Sequence, residues 1–201
     1  MSMDLATRQR AMLTALKGRS AVDDQGDADT DAELRGILQS QHLPMLREIL
    51  LWWRSFAVTR CCPLSSAILR RRGDFDAFVM HYVRDTRGSP YLDGEAEQFL
   101  SYTINDPDPL VAAVATTERA LHRLRDDPGY RCVLRWCHDP AVVFAYLVNR
   151  IEFDEAAIEG RYLVRIAEDL PGGIDWQDSG SHGFGAPVRR LYNAAVIRPW
   201  S

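Results

Sequence analysis

Cysteine and histidine crowd into one short stretch of this chain, where Cys132, Cys137 and His138 lie close together, with His122 and His182 further away. Such side chains could hold zinc, but the spacing argues against it. An odd separation puts Cys132 and Cys137 on opposite faces of a strand, and structural zinc sites use tighter Cys-x-x-Cys or i, i+4 His spacing. Ordinary core and surface roles account for these residues, and no metal site is expected. Cys61 and Cys62 would form only a strained vicinal disulfide. Their place near the end of a helix, at the negative end of its dipole, raises a thiol pKa instead of activating it. Ser65-Ser66 has no companion histidine. The run Gly180-Ser181-His182-Gly183-Phe184-Gly185 resembles a phosphate loop, yet Ala186-Pro187-Val188 reads as extended and offers no helix N-terminus to an anion. It reads as a hairpin or a partner-ordered loop. No catalytic residues are expected.

Two other features suit recognition. Arg70-Arg71-Arg72, preceded by Arg60, is either a solvated face or a docking patch for an acidic surface. Trp52 and Trp53 point roughly 100° apart on a helix, so packing accounts for one and an interface for the other.

The elements that must position these residues change character along the chain. Leu5, Met12, Leu13 and Leu16 have loosely helical spacing. Residues 18–30, rich in Asp, Gly, Ser and Ala, read as a mobile linker, and a helix is predicted to resume over 31–39. Pro44 suits the first turn of the next helix, whose Leu46, Ile49, Leu50, Trp53 and Ala57 recur at three- and four-residue steps. Cys62-Pro63 ends it. A short helix follows over 64–71, then one capped by Asp74 that carries Phe75, Phe78, Val79 and Tyr82, then another over 95–102. Asp108-Pro109 opens a helix over 110–125. Beyond Pro128-Gly129 the period changes to two: Tyr130 to Trp136 and Arg161 to Ala167 read as strands, with an Asp139-Pro140 helix between them. Residues 175–187 read as a loop and 194–200 as a last strand. The fold class is α+β, with a helical domain over 1–126 and a small mixed-sheet domain over 127–201.

A chain of 201 residues with 46% hydrophobic and 26% charged residues suits a globular protein of one or two domains. Its net charge of −4 disfavours a dedicated nucleic-acid binder. The N-terminus lacks the apolar core of a secretory signal, and no apolar run approaches the roughly 20 residues that cross a bilayer. A cytoplasmic protein with reduced thiols is expected.

Cys62-Pro63-Leu64, Phe75, Phe78, Tyr82, Ser89-Pro90-Tyr91-Leu92, Phe99-Leu100, Pro109, Val114-Ala115 and Glu118 follow one another in an order that resembles a known helical domain. It is the N-terminal domain, first labelled DNA-binding, of bacterial partners of multinuclear non-haem iron-dependent oxidative enzymes. The resemblance covers about residues 45–125. Cys62-Pro63 replaces the family's Phe-Pro, and Trp52-Trp53-Arg54-Ser55-Phe56 replaces its Arg- and Asn-rich segment. Within that family the chain looks most like the MbnC-like partners of methanobactin biosynthesis; partners of thiaglutamate-type pathways are similar.

The resemblance implies a non-catalytic subunit that binds an MbnB-like iron enzyme and the leader of a precursor peptide whose cysteines become oxazolone and thioamide groups. This chain then needs no cofactor of its own, and the iron belongs to the enzyme subunit. Trp52, Arg70, Arg71 and Arg72 are the expected enzyme contacts. Strand addition needs an exposed sheet edge, which makes Tyr162, Val164 and Ile166, or Val196 and Ile197, the expected peptide-binding strands. The rivals are a DNA- or protein-binding regulator and, with least support, a stand-alone enzyme.

Overall fold

The computed structural model describes residues 5–17, 36, 39–87 and 91–179, and the account below concerns those residues. The fold is α+β. In chain order the elements are α1 (Leu5–Leu16), α2 (Leu43–Cys61), α3 (Pro63–Arg72), α4 (Phe75–Asp85), α5 (Leu92–Thr103), α6 (Pro109–Asp126), β1 (Cys132–His138), α7 (Pro140–Asn149), β2 (Glu159–Ile166) and β3 (Ile174–Asp178). The expected linker at 18–30, the loop at 180–185 and the strand at 194–200 lie outside the described residues, as does nearly all of the helix expected over 31–39.

The change from helix to strand falls between Asp126 and Cys132. The division into compact units is a different one. One unit comprises Met1–Cys61 with Asp74–Glu95, and the other Cys62–Gly73 with Ala96–Ser201.

In the first unit α2 packs on α1 and α4. Its core includes Leu43, Ala57, Val58, Phe75, Val79 and Tyr82. A charged network is buried with them. Arg54 Nε lies 2.7 Å from Glu95 Oε1, Tyr82 donates its hydroxyl to the same oxygen at 2.9 Å, and the Arg54 guanidinium stands 4.9 Å from the Tyr82 ring centre. Burial, with the Glu95 charge beside it, pushes the Tyr82 hydroxyl pKa well above its ordinary value. Asp74 precedes α4 as expected, but its side chain makes no capping bond.

In the second unit α6 packs against α3, β1 and β2, and α3 also touches α7. Asp108 caps α6 as the Asp-Pro signal predicts, accepting from the Leu110 and Val111 N–H groups at 2.8 and 3.4 Å. Asp139 does the same for α7 through the Ala141 N–H at 2.8 Å. Gly73 closes α3 in the left-handed region at φ 87°, where a side chain would be strained.

The sheet is antiparallel with order β1-β2-β3. β3 corrects the expected loop: Ile174, Asp175, Trp176, Gln177 and Asp178 pair along β2. Its polar residues masked a strand whose Trp176 stacks on Phe144 of α7, which stacks in turn on Trp136 of β1.

Candidate peptide-docking site

β2 is the central strand, with Tyr162, Val164 and Ile166 laddered to β1 on one side and β3 on the other. Val164 and Ile166 are fully buried at 0% exposure. These residues therefore do not form an edge, which corrects the expectation of strand addition at β2: its backbone groups are already used within the sheet. Val196 and Ile197 lie outside the described residues. Burial, with Asp139 and Asp178 nearby, raises the Tyr162 pKa.

Among the described residues β1 has a neighbour on one side only. An open groove of about 440 Å³ is lined by Pro109, Ala112, Ala113 and Thr116 of α6, by Leu134 to Cys137 of β1, and by Gly160 and Arg161 of the paired strand β2. The local sequence explains its shape. α6 turns its large apolar residues Leu110, Val111 and Val114 into the core, which leaves prolyl, methyl and hydroxyl groups facing the strand. Arg135 and Arg161 are both exposed at this groove.

The ladder of β1 shifts register between Trp136 and His138. The extra residue lies on β2, where Gly160 and Arg161 both stand opposite Cys137; β1 keeps its alternation, and neighbouring Cys137 and His138 approach one another, Sγ to Nδ1 at 3.3 Å. The thiol is exposed and the imidazole buried. His138 Nε2 lies 4.0 Å from Glu155 Oε1. In sequence these two residues stand out only as metal-ligand candidates; their pairing has no local signature, because Glu155 is distant in the chain. Among the described residues no three Cys, His, Asp or Glu side chains gather to hold a metal ion, and all four cysteines are free thiols.

The three arginines of α3 do not form one patch. Arg71 donates to Glu155 Oε2 at 3.2 Å and to the Phe153 carbonyl at 2.9 Å, with its guanidinium 4.0 Å from the Phe153 ring centre. Arg72 grips Asp106 with two bonds of 2.6 and 2.9 Å. Burial acts to raise the Asp106 pKa, but the Arg72 bond and charge, with the Asp108 N–H, hold it below the ordinary carboxylate value. Arg70 is exposed. The docking patch expected at Arg70, Arg71 and Arg72 is thus spent largely on internal acids.

Trp52, by contrast, is 65% exposed on α2, in the first unit. It stacks on Phe56, and Phe56 on Trp53, at 5.8 Å in each case. Met45, Ile49, Trp52, Trp53 and Phe56 are all exposed, and their spacing places them on one helix face. The expectation that one tryptophan packs in the core is corrected: both face outward, because Arg54, Ala57 and Val58 occupy the buried side.

Comparison with protein-family models, curated proteins and solved structures gives no match to this chain.

Proposed function

We propose that this protein is a non-catalytic partner subunit that holds a peptide for another enzyme. The groove beside β1 carries this reading. An extended peptide laid along an outer strand gains backbone hydrogen bonds, and small groups on the facing helix leave room for it. The aromatic face of α2 supplies a second surface, with the tryptophans that protein interfaces favour. No helix of the described residues is long and apolar enough to cross a membrane.

Within that class, the order of sequence landmarks over 45–125 favours a methanobactin-type partner. It would bind an MbnB-like iron oxidase and the leader of a ribosomally made precursor in the cytoplasm, the iron residing in the enzyme. The expected peptide strand moves from β2 to β1.

The test is co-expression with such an oxidase and its precursor, together with fluorescence anisotropy of a labelled leader peptide. Ala113→Trp fills the groove from a half-buried position and should weaken leader binding by about tenfold or more, comparable to losing ~1.4 kcal/mol, with the melting temperature unchanged. Undiminished binding by this variant refutes the groove. Purification of the chain without the oxidase, with precursor modification unchanged by its presence, refutes the subunit role, and retarded DNA at physiological salt promotes the regulatory alternative.

A further inference from the structure

The pairing of Cys137 with His138 on β1 serves no purpose in a purely passive docking groove. Cys137 lines the groove and is exposed, so a bound molecule can reach its sulfur. His138 is buried behind it with Nδ1 3.3 Å from Sγ. The Glu155 carboxylate faces the other ring nitrogen, 4.0 Å from Nε2; in the tautomer with its proton on Nε2, Nδ1 is a base toward the thiol. Arg71 fixes the other Glu155 oxygen at 3.2 Å. Nucleophile, base and orienting acid thus stand in sequence. The remaining charged groups near the thiol are Arg135 and Arg161 at the groove, Glu159 across the ladder from His138, and the adjoining Asp139.

We infer that Cys137 is the nucleophile of a thiol–disulfide exchange site whose substrate is a disulfide carried by an extended peptide in the β1 groove. The peptide part rests on the docking role proposed above; the reactivity of the thiol does not. His138 Nδ1 takes the Cys137 proton, and the thiolate attacks one sulfur of the substrate disulfide. That S–S bond breaks as the bond from Cys137 to the retained half forms. The departing thiolate takes the proton back from the imidazolium. The substrate disulfide is itself the oxidant, so the exchange balances without another reagent. The product is a peptide held covalently in the groove and released by the reverse exchange with a free thiol.

The test uses the full chain, an aromatic disulfide reagent (5,5′-dithiobis-2-nitrobenzoate), and a leader peptide bearing one cysteine as its glutathione mixed disulfide. Peptide mapping identifies the modified cysteine. At neutral pH Cys137 should react first, at least about tenfold faster than Cys61 or Cys132. His138→Asn should remove about tenfold of that rate. Glu155→Gln, at a more exposed position, should give a smaller loss in the same direction and stands in if the histidine variant does not fold. The peptide disulfide should outpace glutathione disulfide. Equal labelling of the three cysteines, a rate at Cys137 indifferent to both substitutions, or equal rates for peptide and glutathione disulfides overturns the inference. Failure of the unmodified leader to bind, with His138-dependent reaction of the small reagent intact, refutes the docking role and its peptide substrate, leaving an activated thiol.

Discussion

Replacing Glu118 with glutamine tests how burial and hydrogen bonding compete at one carboxyl. Glu118 is 2% exposed in the middle of α6. It accepts from the Leu64 N–H through Oε1 and the Ser65 N–H through Oε2, both at 2.8 Å. Those are first-turn donors of α3, which Cys62 leaves without a side-chain cap. Burial pushes the Glu118 pKa up to about 7 from an ordinary 4.5, against the pull of Ser65 and Leu64. A folded-state pKa above the unfolded value means that the proton stabilises the fold: the contribution is complete below pH 4.5 and lost as pH rises through 7. At about 1.4 kcal/mol per pH unit, this group alone removes roughly 3 kcal/mol of stability across that window. The protonated acid can accept both N–H groups and offer its hydroxyl to Ser65. Glutamine cannot, because its amide nitrogen faces one donor with another, at about 1–3 kcal/mol. Glu118→Gln should therefore lower stability by about 2 kcal/mol at pH 5, or roughly 4–8 °C in melting temperature. The deficit should shrink and nearly close by pH 8, where the wild type has lost its proton. Urea denaturation of both proteins from pH 5 to 8 measures the difference. A deficit that grows with pH refutes the reasoning, since the carboxylate's bonds to α3 would then outweigh its burial.

Glu95→Gln leaves Arg54 charged and buried without its partner, so the melting midpoint should fall by an amount equivalent to about 3–5 kcal/mol. Asp108→Ala removes the cap of α6 and should cost about 1 kcal/mol in denaturant titration. Trp52→Glu places a charge on the exposed α2 face. Stability should shift by no more than about 0.5 kcal/mol, while co-purification of the oxidase falls sharply; equal recovery would count against that face as the enzyme contact.

The sequence by itself determined the local grammar of this protein. Helix starts were legible because capping is a contact over two or three residues: Asp108 and Asp139 cap α6 and α7 where the Asp-Pro pairs stand. The strand period was legible because alternation reports which side chains face a core, and Val164 and Ile166 are buried as that pattern requires. Strand order lay beyond such reading. β2 became central only when β3 paired with it, and no residue within β2 encodes that neighbour. Glu118 was visible as one landmark in a helix, but its capping of α3, across 54 residues, exists only after the two helices pack. The arginine run shows the same limit: charge is written in sequence, whereas the loss of Arg71 and Arg72 to Glu155 and Asp106 depends on what folding brings alongside. Cys137 and His138 are adjacent in the chain, but only the fold exposes the thiol, buries the imidazole and brings Glu155 alongside it. Local propensity acts over a few residues, so sequence dictated the elements; pairing and packing act between distant ones, so tertiary structure decided where a peptide and a reactive thiol can meet.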